Sequence, residues 1–171
     1  MKIGIDTFGC DHGKSGIGSY LTSLSQNLKN TEENQFELFG AEIDRYTFGQ
    51  ENNLGFESVI LPDTERAEKA WHFFLCNSFS KRQKYDALLF PASSYALPFH
   101  FSVSSVAVVN DIVSELFATK SFAEKSRIKH SLKKVNKLIA PSNFVKKDLK
   151  RLGINQEKIT VVHNGINHSP F

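Results

Sequence analysis

The sequence contains little cysteine and no long run of apolar residues. Its two cysteines, Cys10 and Cys76, lie far apart in a chain of 171 residues. This pattern argues against a disulfide framework, and we expect two reduced thiols in a cytoplasmic protein. No apolar run approaches the roughly 20 residues of a membrane-spanning helix. Met1-Lys2 leads straight into a predicted strand, so we also expect no export signal.

The sequence also lacks a cluster of metal-binding residues. Its six histidines are scattered and do not combine with cysteine at the spacing of zinc ligands. We therefore expect no metal and no bound cofactor. The remaining composition, 40% hydrophobic and 23% charged residues, is ordinary for a soluble domain. A chain of this length buries very roughly 70% of its unfolded surface, enough for one core.

Short apolar runs alternate with amphipathic segments along nearly the whole chain. The apolar runs predict strands at 2–6, 36–39, 56–61, 85–90, 103–109, 137–140 and 158–162. Helices are predicted from Gly18 to about Asn30, after a cap at Asp63 or Thr64 and through Trp71 to Phe79, over 121–136, and from Ser142 or Asn143 to Gly153. Residues 41–55 are predicted to form an exposed excursion. The alternation is typical of an α/β fold: a Rossmann-like, doubly wound, mostly parallel sheet with helices on both faces.

A glycine pair marks the first change from strand to helix. Gly16-Ile17-Gly18 opens a helical pattern, and glycines at a helix start leave backbone N–H groups uncovered for an anion. The alternative is that the glycines only permit a tight turn or close helix packing. A dinucleotide fingerprint is a poor match, because the loop from Asp6 is long and Leu21 stands where a third glycine belongs.

Other candidate residues follow the later strands. In doubly wound sheets ligands bind at the carboxyl ends of the strands, so we expect these groups to converge. They are Gly16 and Gly18, the loop after Phe90, Asn110-Asp111, Pro141-Ser142 and His163-Asn164-Gly165. Each polar side chain has a structural alternative. Asp111 or Ser142 could cap the next helix, and His163 could be a structural histidine.

Positive charge is concentrated between Lys120 and Arg151. This segment holds eleven basic and two acidic residues, a net charge of +9, whereas the whole chain carries +3 and the remainder therefore −6. Three interpretations stay open for its basic helix: a solvated face over a core stripe of Ile128, Leu132 and Val135, an anionic membrane surface, or nucleic acid. Without a recognised nucleic-acid motif, we expect no nucleic-acid partner.

Several motifs, in this order, resemble the N-terminal domain of the two-domain GT-B glycosyltransferases of group 1 (family 4). The resemblance spans nearly the whole chain. It rests on Gly16-Ile17-Gly18-Ser19-Tyr20, on the Trp71 helix with Tyr85–Pro91 and Leu97-Pro98, on Val108–Ile112, on Ile139–Ser142, on Lys147-Asp148-Leu149 with Gly153, and on Lys158–Asn167.

The resemblance implies transfer of a sugar from a nucleotide-sugar to an acceptor, a glycan or lipid-linked glycan, with retention of configuration. Residues 1–171 would then form one acceptor-side domain, and the nucleotide-sugar-binding domain would be absent, leaving the fragment inactive alone. Gly16, Ile17 and Gly18 would approach the donor diphosphate. The cleft would be lined by Ser19, Tyr20, Ser142, His163, Asn164 and Gly165.

The family usually has histidine at the position of Asn110, and often aspartate at that of Asn167. Because an amide cannot titrate, Asn110 is expected at most to bind, while Asp111 is a tentative catalytic residue. We expect a cytoplasmic enzyme, with peripheral attachment to the inner membrane face through residues 120–151 as a further hypothesis. The alternative function is a non-catalytic Rossmann-like module that binds a ligand or partner through that basic surface.

Overall fold

The computed structural model describes residues 1–49, 54–62, 64–110 and 121–165. These residues form a sheet of seven strands in the order β3-β2-β1-β4-β5-β6-β7, and every neighbouring pair is parallel. The strands are β1 (Lys2–Asp6), β2 (Gln35–Gly40), β3 (Gly55–Ser58), β4 (Ala87–Phe90), β5 (Ser104–Val108), β6 (Lys137–Ala140) and β7 (Ile159–Val161). The predicted doubly wound α/β fold is confirmed.

Six helices connect these strands within the described ranges. They are α1 (Gly16–Asn27), α2 (Glu42–Phe48), α3 (Glu65–Phe74), α4 (Cys76–Arg82), α5 (Phe122–Lys134) and α6 (Asn143–Arg151). Short 3-10 turns lie at Asp11–Gly13 and Gln156–Lys158. No described helix combines the length and the apolar character that crossing a bilayer requires.

Two hydrophobic clusters cover opposite faces of the sheet. Leu38 belongs to one and Phe39 to the other, and successive residues of a strand point to opposite faces. The Leu38 cluster includes Leu21 of α1 and Phe48 of α2. The Phe39 cluster takes buried side chains from the other four helices, namely Trp71, Cys76, Phe79, Ile128, Leu132, Val145 and Leu149. Helices therefore pack on both faces, as the sequence predicts, and Trp71 is a core residue.

Three predictions about helices are wrong. Residues 41–55 are not simply an exposed excursion, because Glu42–Phe48 form α2, which buries Asp44 and Phe48. The predicted single helix through Trp71 is broken at Leu75 into α3 and α4. The helical spacing predicts that Phe74 and Leu75 share the apolar face of Trp71. This prediction is wrong, because at the break the two residues are 73% and 52% exposed.

Both cysteines are buried free thiols. Burial raises the pKa of Cys10, and the nearby carboxylates of Asp6 and Asp44 raise it further. Burial also raises the pKa of Cys76. Both groups therefore stay protonated at neutral pH and are poor nucleophiles. Their unpaired state agrees with the prediction from cysteine spacing.

Candidate functional site

The connections of the sheet change direction beside β1. The chain passes from β1 to β2 on one side, whereas β4 lies on its other side. The loops that follow β1 and β4 therefore diverge at the carboxyl edge and leave a crevice between them, which is where ligands bind in such sheets. The structure has two concavities at the loop after β1 and the start of α1.

The glycines at the start of α1 have different surroundings. A Cβ at Gly18 would lie 2.3 Å from the carbonyl oxygen of Cys10 and 2.6 Å from Gly13, so close packing of α1 on the preceding turn requires glycine there. The Gly18 N–H also donates to the Ser15 side chain, which caps the helix, over 3.1 Å. A Cβ at Gly16 would meet no atom of the described residues within 4 Å. Gly18 thus has a packing role, whereas Gly16 is open to a ligand.

One open cleft of about 470 Å³ runs along the outer face of α1. It brings together five residues predicted for the site: Gly16, Ser19, Tyr20, Asn164 and Gly165. The other described residues of the lining are Ser23, Leu24 and Asn27, and none of the described lining residues carries a formal charge. The side chain of Ile17 packs against the Leu38 cluster, so only its backbone is available at the helix start.

The other predicted residues lie outside this lining. Ser142 is the N-cap of α6 and accepts from the Val145 N–H over 3.2 Å. His163 is exposed, and its Nδ1 lies 3.0 Å from the carbonyl oxygen of Pro141, to which it can donate. The buried nitrogen and oxygen of the Asn110 amide have no hydrogen-bond partner among the described residues. Asp111 and Asn167 lie outside the described residues.

A smaller pocket of about 240 Å³ lies between the ends of β1, β2 and β4, and the sequence did not reveal it. We call it the carboxylate pocket. Its lining is Thr7, Phe8, Gly9, Asp11, His12, Ala41, Asp44, Glu68 and Tyr95. Three of these side chains are carboxylic acids and one is an imidazole, and the lining contains no lysine or arginine.

Asp44 organises one wall of the carboxylate pocket. Asp44 is 2% exposed, and its Oδ2 accepts a hydrogen bond from the Thr7 hydroxyl over 2.5 Å. Its Oδ1 lies 2.6 Å from Nδ1 of His12, whose side chain is 43% exposed. Burial raises the pKa of Asp44, and the two hydrogen bonds oppose that increase. The contact orients the imidazole in the way that a carboxylate orients a histidine base.

The turn that carries His12 has an uncommon backbone. Asp11 and His12 both have positive φ angles, 49° and 48°. For residues other than glycine this region costs of order 1–3 kcal/mol each, and such residues cluster at functional sites. Gly9 also has a positive φ angle, 75°, and glycine is required at this position because a Cβ would lie 2.6 Å from Tyr95. The loop is thus fixed in a shape that its own residues do not favour.

A second acid–histidine pair lies beneath the pocket. His72 is fully buried, with Nε2 2.8 Å from Oδ2 of Asp6 and Nδ1 2.7 Å from the carbonyl oxygen of Glu68. Burial lowers the pKa of His72, but the Asp6 carboxylate and these hydrogen bonds raise it overall. Both ring nitrogens face acceptors, which is the arrangement of an imidazolium. Phe8, in the pocket wall, packs edge-on against this ring at 5.2 Å.

Tyr95 closes the pocket from the loop after β4. Its hydroxyl donates to the Glu68 carboxylate, and burial followed by that hydrogen bond raises the pKa of Tyr95. The sequence offered weak signals for these residues. Glu68 and His72 are four apart on a predicted helix, and Asp44 and Phe48 are four apart in a segment too short to predict a helix.

The family model for Glycosyltransferase Family 4 matches residues 14–169. The chain belongs to glycosyltransferase family 4. The match includes α1 and nearly every later element, so the resemblance noted from the glycine loop and the closing segment is confirmed. No curated protein matches the sequence.

Solved structures agree with this family in fold. HepE from Anabaena, in complex with UDP and glucose, has a TM-score of 0.65 at 16% identity, over 99% of this chain and 47% of that one. The lipopolysaccharide outer core galactosyltransferase WaaB, in its apo form, has a TM-score of 0.61 at 16% identity, over 99% and 47%. UDP-GlcNAc 2-epimerase from Methanocaldococcus jannaschii has a TM-score of 0.59 at 15% identity, over 96% and 46%.

At such identities the likeness concerns the fold alone. The family 4 chain spans about half the length of the solved structures that it matches. Its Rossmann-like sheet corresponds to one half of a GT-B fold.

Proposed function

We propose that this family 4 chain is the acceptor-side half of a glycosyltransferase that moves a sugar from a nucleotide-sugar to a glycan or lipid-linked glycan, with retention. The observation that carries the proposal is the α1 cleft, where Gly16, Ser19 and Tyr20 meet Asn164 and Gly165. Family membership over residues 14–169 supports it. A nucleotide-sugar-binding domain outside this chain would supply the rest of the donor site, so the chain alone is expected to transfer no sugar.

The start of α1 suits the donor diphosphate. The N–H groups of Gly16 and Ile17 have no acceptor among the described residues, and they lie at the positive end of the helix dipole. The described residues of the cleft beside them include no carboxylate that would repel phosphate. HepE has been solved in complex with UDP and glucose, which favours a nucleotide-sugar as the co-substrate here.

The surroundings of the Asn110 amide support a binding role for this residue. It follows β5 at the carboxyl edge of the sheet, with its buried polar atoms unpaired among the described residues. A buried amide without partners is costly, so a ligand hydroxyl there would be stabilising. We propose a binding role for Asn110 and a catalytic role for Asp111.

A substitution at Gly16 tests the proposal. In the complete polypeptide, we expect Gly16→Val to leave the fold intact, because its Cβ meets no atom of the described residues, and to fill part of the cleft. We expect transfer from a panel of UDP-, GDP- and ADP-sugars to a membrane lipid extract to fall about tenfold or more, a barrier increase of about 1.4 kcal/mol. Lys29→Val, at an exposed position beyond α1, is the matched control and should keep full activity.

The two possible negative results mean different things. Unchanged transfer in Gly16→Val would remove the glycine loop from the donor site. No transfer by the unaltered complete polypeptide from any donor in the panel would count against the glycosyltransferase function itself. The non-catalytic module would then become the better hypothesis.

Exposed aromatic residues favour attachment to a membrane surface. Phe122 is 87% exposed and Phe144 56% exposed, in the first turns of α5 and α6. The same two helices are basic. Helix α5 has five basic residues and one acidic residue, a net charge of +4, and α6 has four basic residues and one acidic residue, a net charge of +3. Because α5 and α6 follow parallel strands, both begin at the carboxyl edge, beside the site. A lipid-linked acceptor would thus reach the site from the surface to which the domain is bound.

Vesicle binding tests this attachment. Each basic residue near anionic headgroups contributes about 1 kcal/mol, so binding to phosphatidylglycerol vesicles should exceed binding to phosphatidylcholine vesicles and weaken with salt. Phe144→Ser should reduce it, whereas Tyr46→Ser should not. Tyr46 is 64% exposed on α2, which packs on the opposite face of the sheet, so it serves as the matched control. Equal binding to both vesicle types would contradict the attachment.

A further inference from the structure

The carboxylate pocket has a different chemistry from the α1 cleft. We propose that it binds one sugar ring whose substituents are neutral or cationic, and that it rejects a ring that carries phosphate. His12 accepts a hydrogen bond from a hydroxyl of the ligand, and Asp44 is the residue that positions His12. The inference rests on the proposed function to the extent that this sugar would be the end of the acceptor. It specifies that the acceptor presents a neutral or cationic sugar ring at this position.

The contact with Asp44 determines the proton position on His12. A carboxylate can only accept, so Nδ1 of His12, 2.6 Å from Oδ1, is the nitrogen that carries the proton. With the proton on Nδ1, Nε2 is the ring nitrogen left to accept a hydrogen bond, and this atom has no partner among the described residues. Thr7 fixes the other carboxylate oxygen over 2.5 Å. His12 therefore offers an acceptor to a hydroxyl in the pocket.

The charges of the lining exclude phosphate. Asp11, Asp44 and Glu68 line the pocket, and among the described lining residues His12 is the one group that could offset their charge. Behind the wall, His72 is paired with Asp6, so this histidine brings no free positive charge to the pocket. Carboxylates that line a pocket repel a bound anion strongly where water is partly excluded. An anionic group should therefore bind about tenfold or more weakly than its neutral counterpart.

The size and apolar surface of the pocket suit one ring. Its volume of about 240 Å³ lies below the roughly 300–1,000 Å³ of pockets for drug-sized ligands. Phe8 and Tyr95 give it apolar walls, while carboxylate oxygens accept hydrogen bonds from several hydroxyls at once. The strained turn at Asp11 and His12 is a further sign of a functional loop.

Three sugars that share one ring form the test. Methyl glucoside is neutral, glucosamine is cationic and glucose 6-phosphate is anionic. Each is titrated into this chain, labelled with nitrogen-15 in histidine, up to about 50 mM, well above a millimolar dissociation constant. We expect methyl glucoside and glucosamine to shift the His12 ring signals saturably, and glucose 6-phosphate to bind at least about tenfold more weakly.

Variants separate positioning from folding. His12→Ala should weaken binding of methyl glucoside about tenfold by removing the hydrogen bond. Asp44→Asn should leave the fold intact but change the nitrogen-15 shifts of His12, because an amide oxygen accepts from Nδ1–H more weakly than a carboxylate does. His130→Ala, at an exposed position on α5, is the control and should leave binding unchanged.

Several results would overturn the inference: a proton on Nε2 in the unaltered chain, glucose 6-phosphate binding as tightly as methyl glucoside, or no shift of His12 with any sugar. Transfer by the complete polypeptide is measured separately. Sugar binding here without transfer would leave the inference standing and defeat the proposed function. Transfer without binding at this pocket would do the reverse.

Discussion

Replacing His72 with leucine should destabilise the domain strongly. The substitution keeps the side chain large but leaves the Asp6 carboxylate buried. Among the described residues, only the Phe8 N–H, 3.1 Å away, would still donate to it. Breaking a buried ion pair by removing one partner costs about 3–5 kcal/mol. For a domain of this size, that corresponds to a fall in melting temperature of about 6–20 °C.

The same pair predicts a dependence of stability on pH. The pKa of His72 is lowered by burial but raised overall, above its ordinary value of 6.5, by Asp6 and the Glu68 carbonyl. The pair therefore contributes fully below pH 6.5, where the unfolded chain is also protonated, and its contribution is lost as pH rises through the folded pKa. The free energy of unfolding should fall over that window, and the leucine variant should lack this fall.

Urea unfolding followed by circular dichroism provides the measurement, at pH values on both sides of the window. His130→Leu, at an exposed position, is the control and should change stability by no more than about 0.5 kcal/mol. Replacing both Asp6 and His72 with leucine should restore much of the loss, because no buried charge then remains unpaired. A His72→Leu variant as stable as the parent, or one that keeps the fall with pH, would refute the ion pair.

Three further predictions concern stability. Gly18→Ala should destabilise by about 1–3 kcal/mol in a urea titration, since its Cβ would overlap a carbonyl oxygen at 2.3 Å, whereas Gly16→Ala should change stability by under about 1 kcal/mol; equal effects would contradict this. Ser121→Ala removes the capping box of α5 and should cost about 1 kcal/mol, while Ser126→Ala at an exposed position should not; no loss would argue against the cap. Because burial raises the pKa of Asp44 above 3.8, the protonated carboxyl group contributes to the stability of the folded state, and this contribution is lost as pH rises through the folded pKa. Asp44→Asn should therefore be no less stable than the parent at neutral pH. A large loss of stability there would show that the folded state favours the charged form.

The elements that could be predicted from the sequence are those with strong periodicity or clear end signals. Capping by Thr64, Ser121 and Ser142 and the end of α6 before Gly153 follow from local chemistry, and the structure has each of them. The α1 cleft was partly predictable as well. Parallel strands place their ends together, so the glycine loop and Asn164-Gly165 could be expected at one edge.

The carboxylate pocket could not be predicted for two physical reasons. Asp44 lies on α2, a helix of seven residues that is too short for its period to stand out from a loop. His72 and Asp6 are 66 residues apart, and hydrophobic periodicity carries no information about which buried polar groups will pair. Likewise, Phe74 and Leu75 satisfy the helical spacing, but the break at Leu75 exposes them.

The end of β1 connects these observations. Asp6 and Thr7 are successive residues of extended chain, so their side chains point to opposite faces of the sheet. Asp6 bonds to His72 of α3 on one face, while Thr7 bonds to Asp44 of α2 on the other. Both contacts are buried, and polar contacts, unlike apolar packing, fix direction as well as distance. The loop that leads to His12 and on to Gly16 therefore starts from a point held on both faces, which explains how a strained turn keeps its shape between two chemically different binding surfaces.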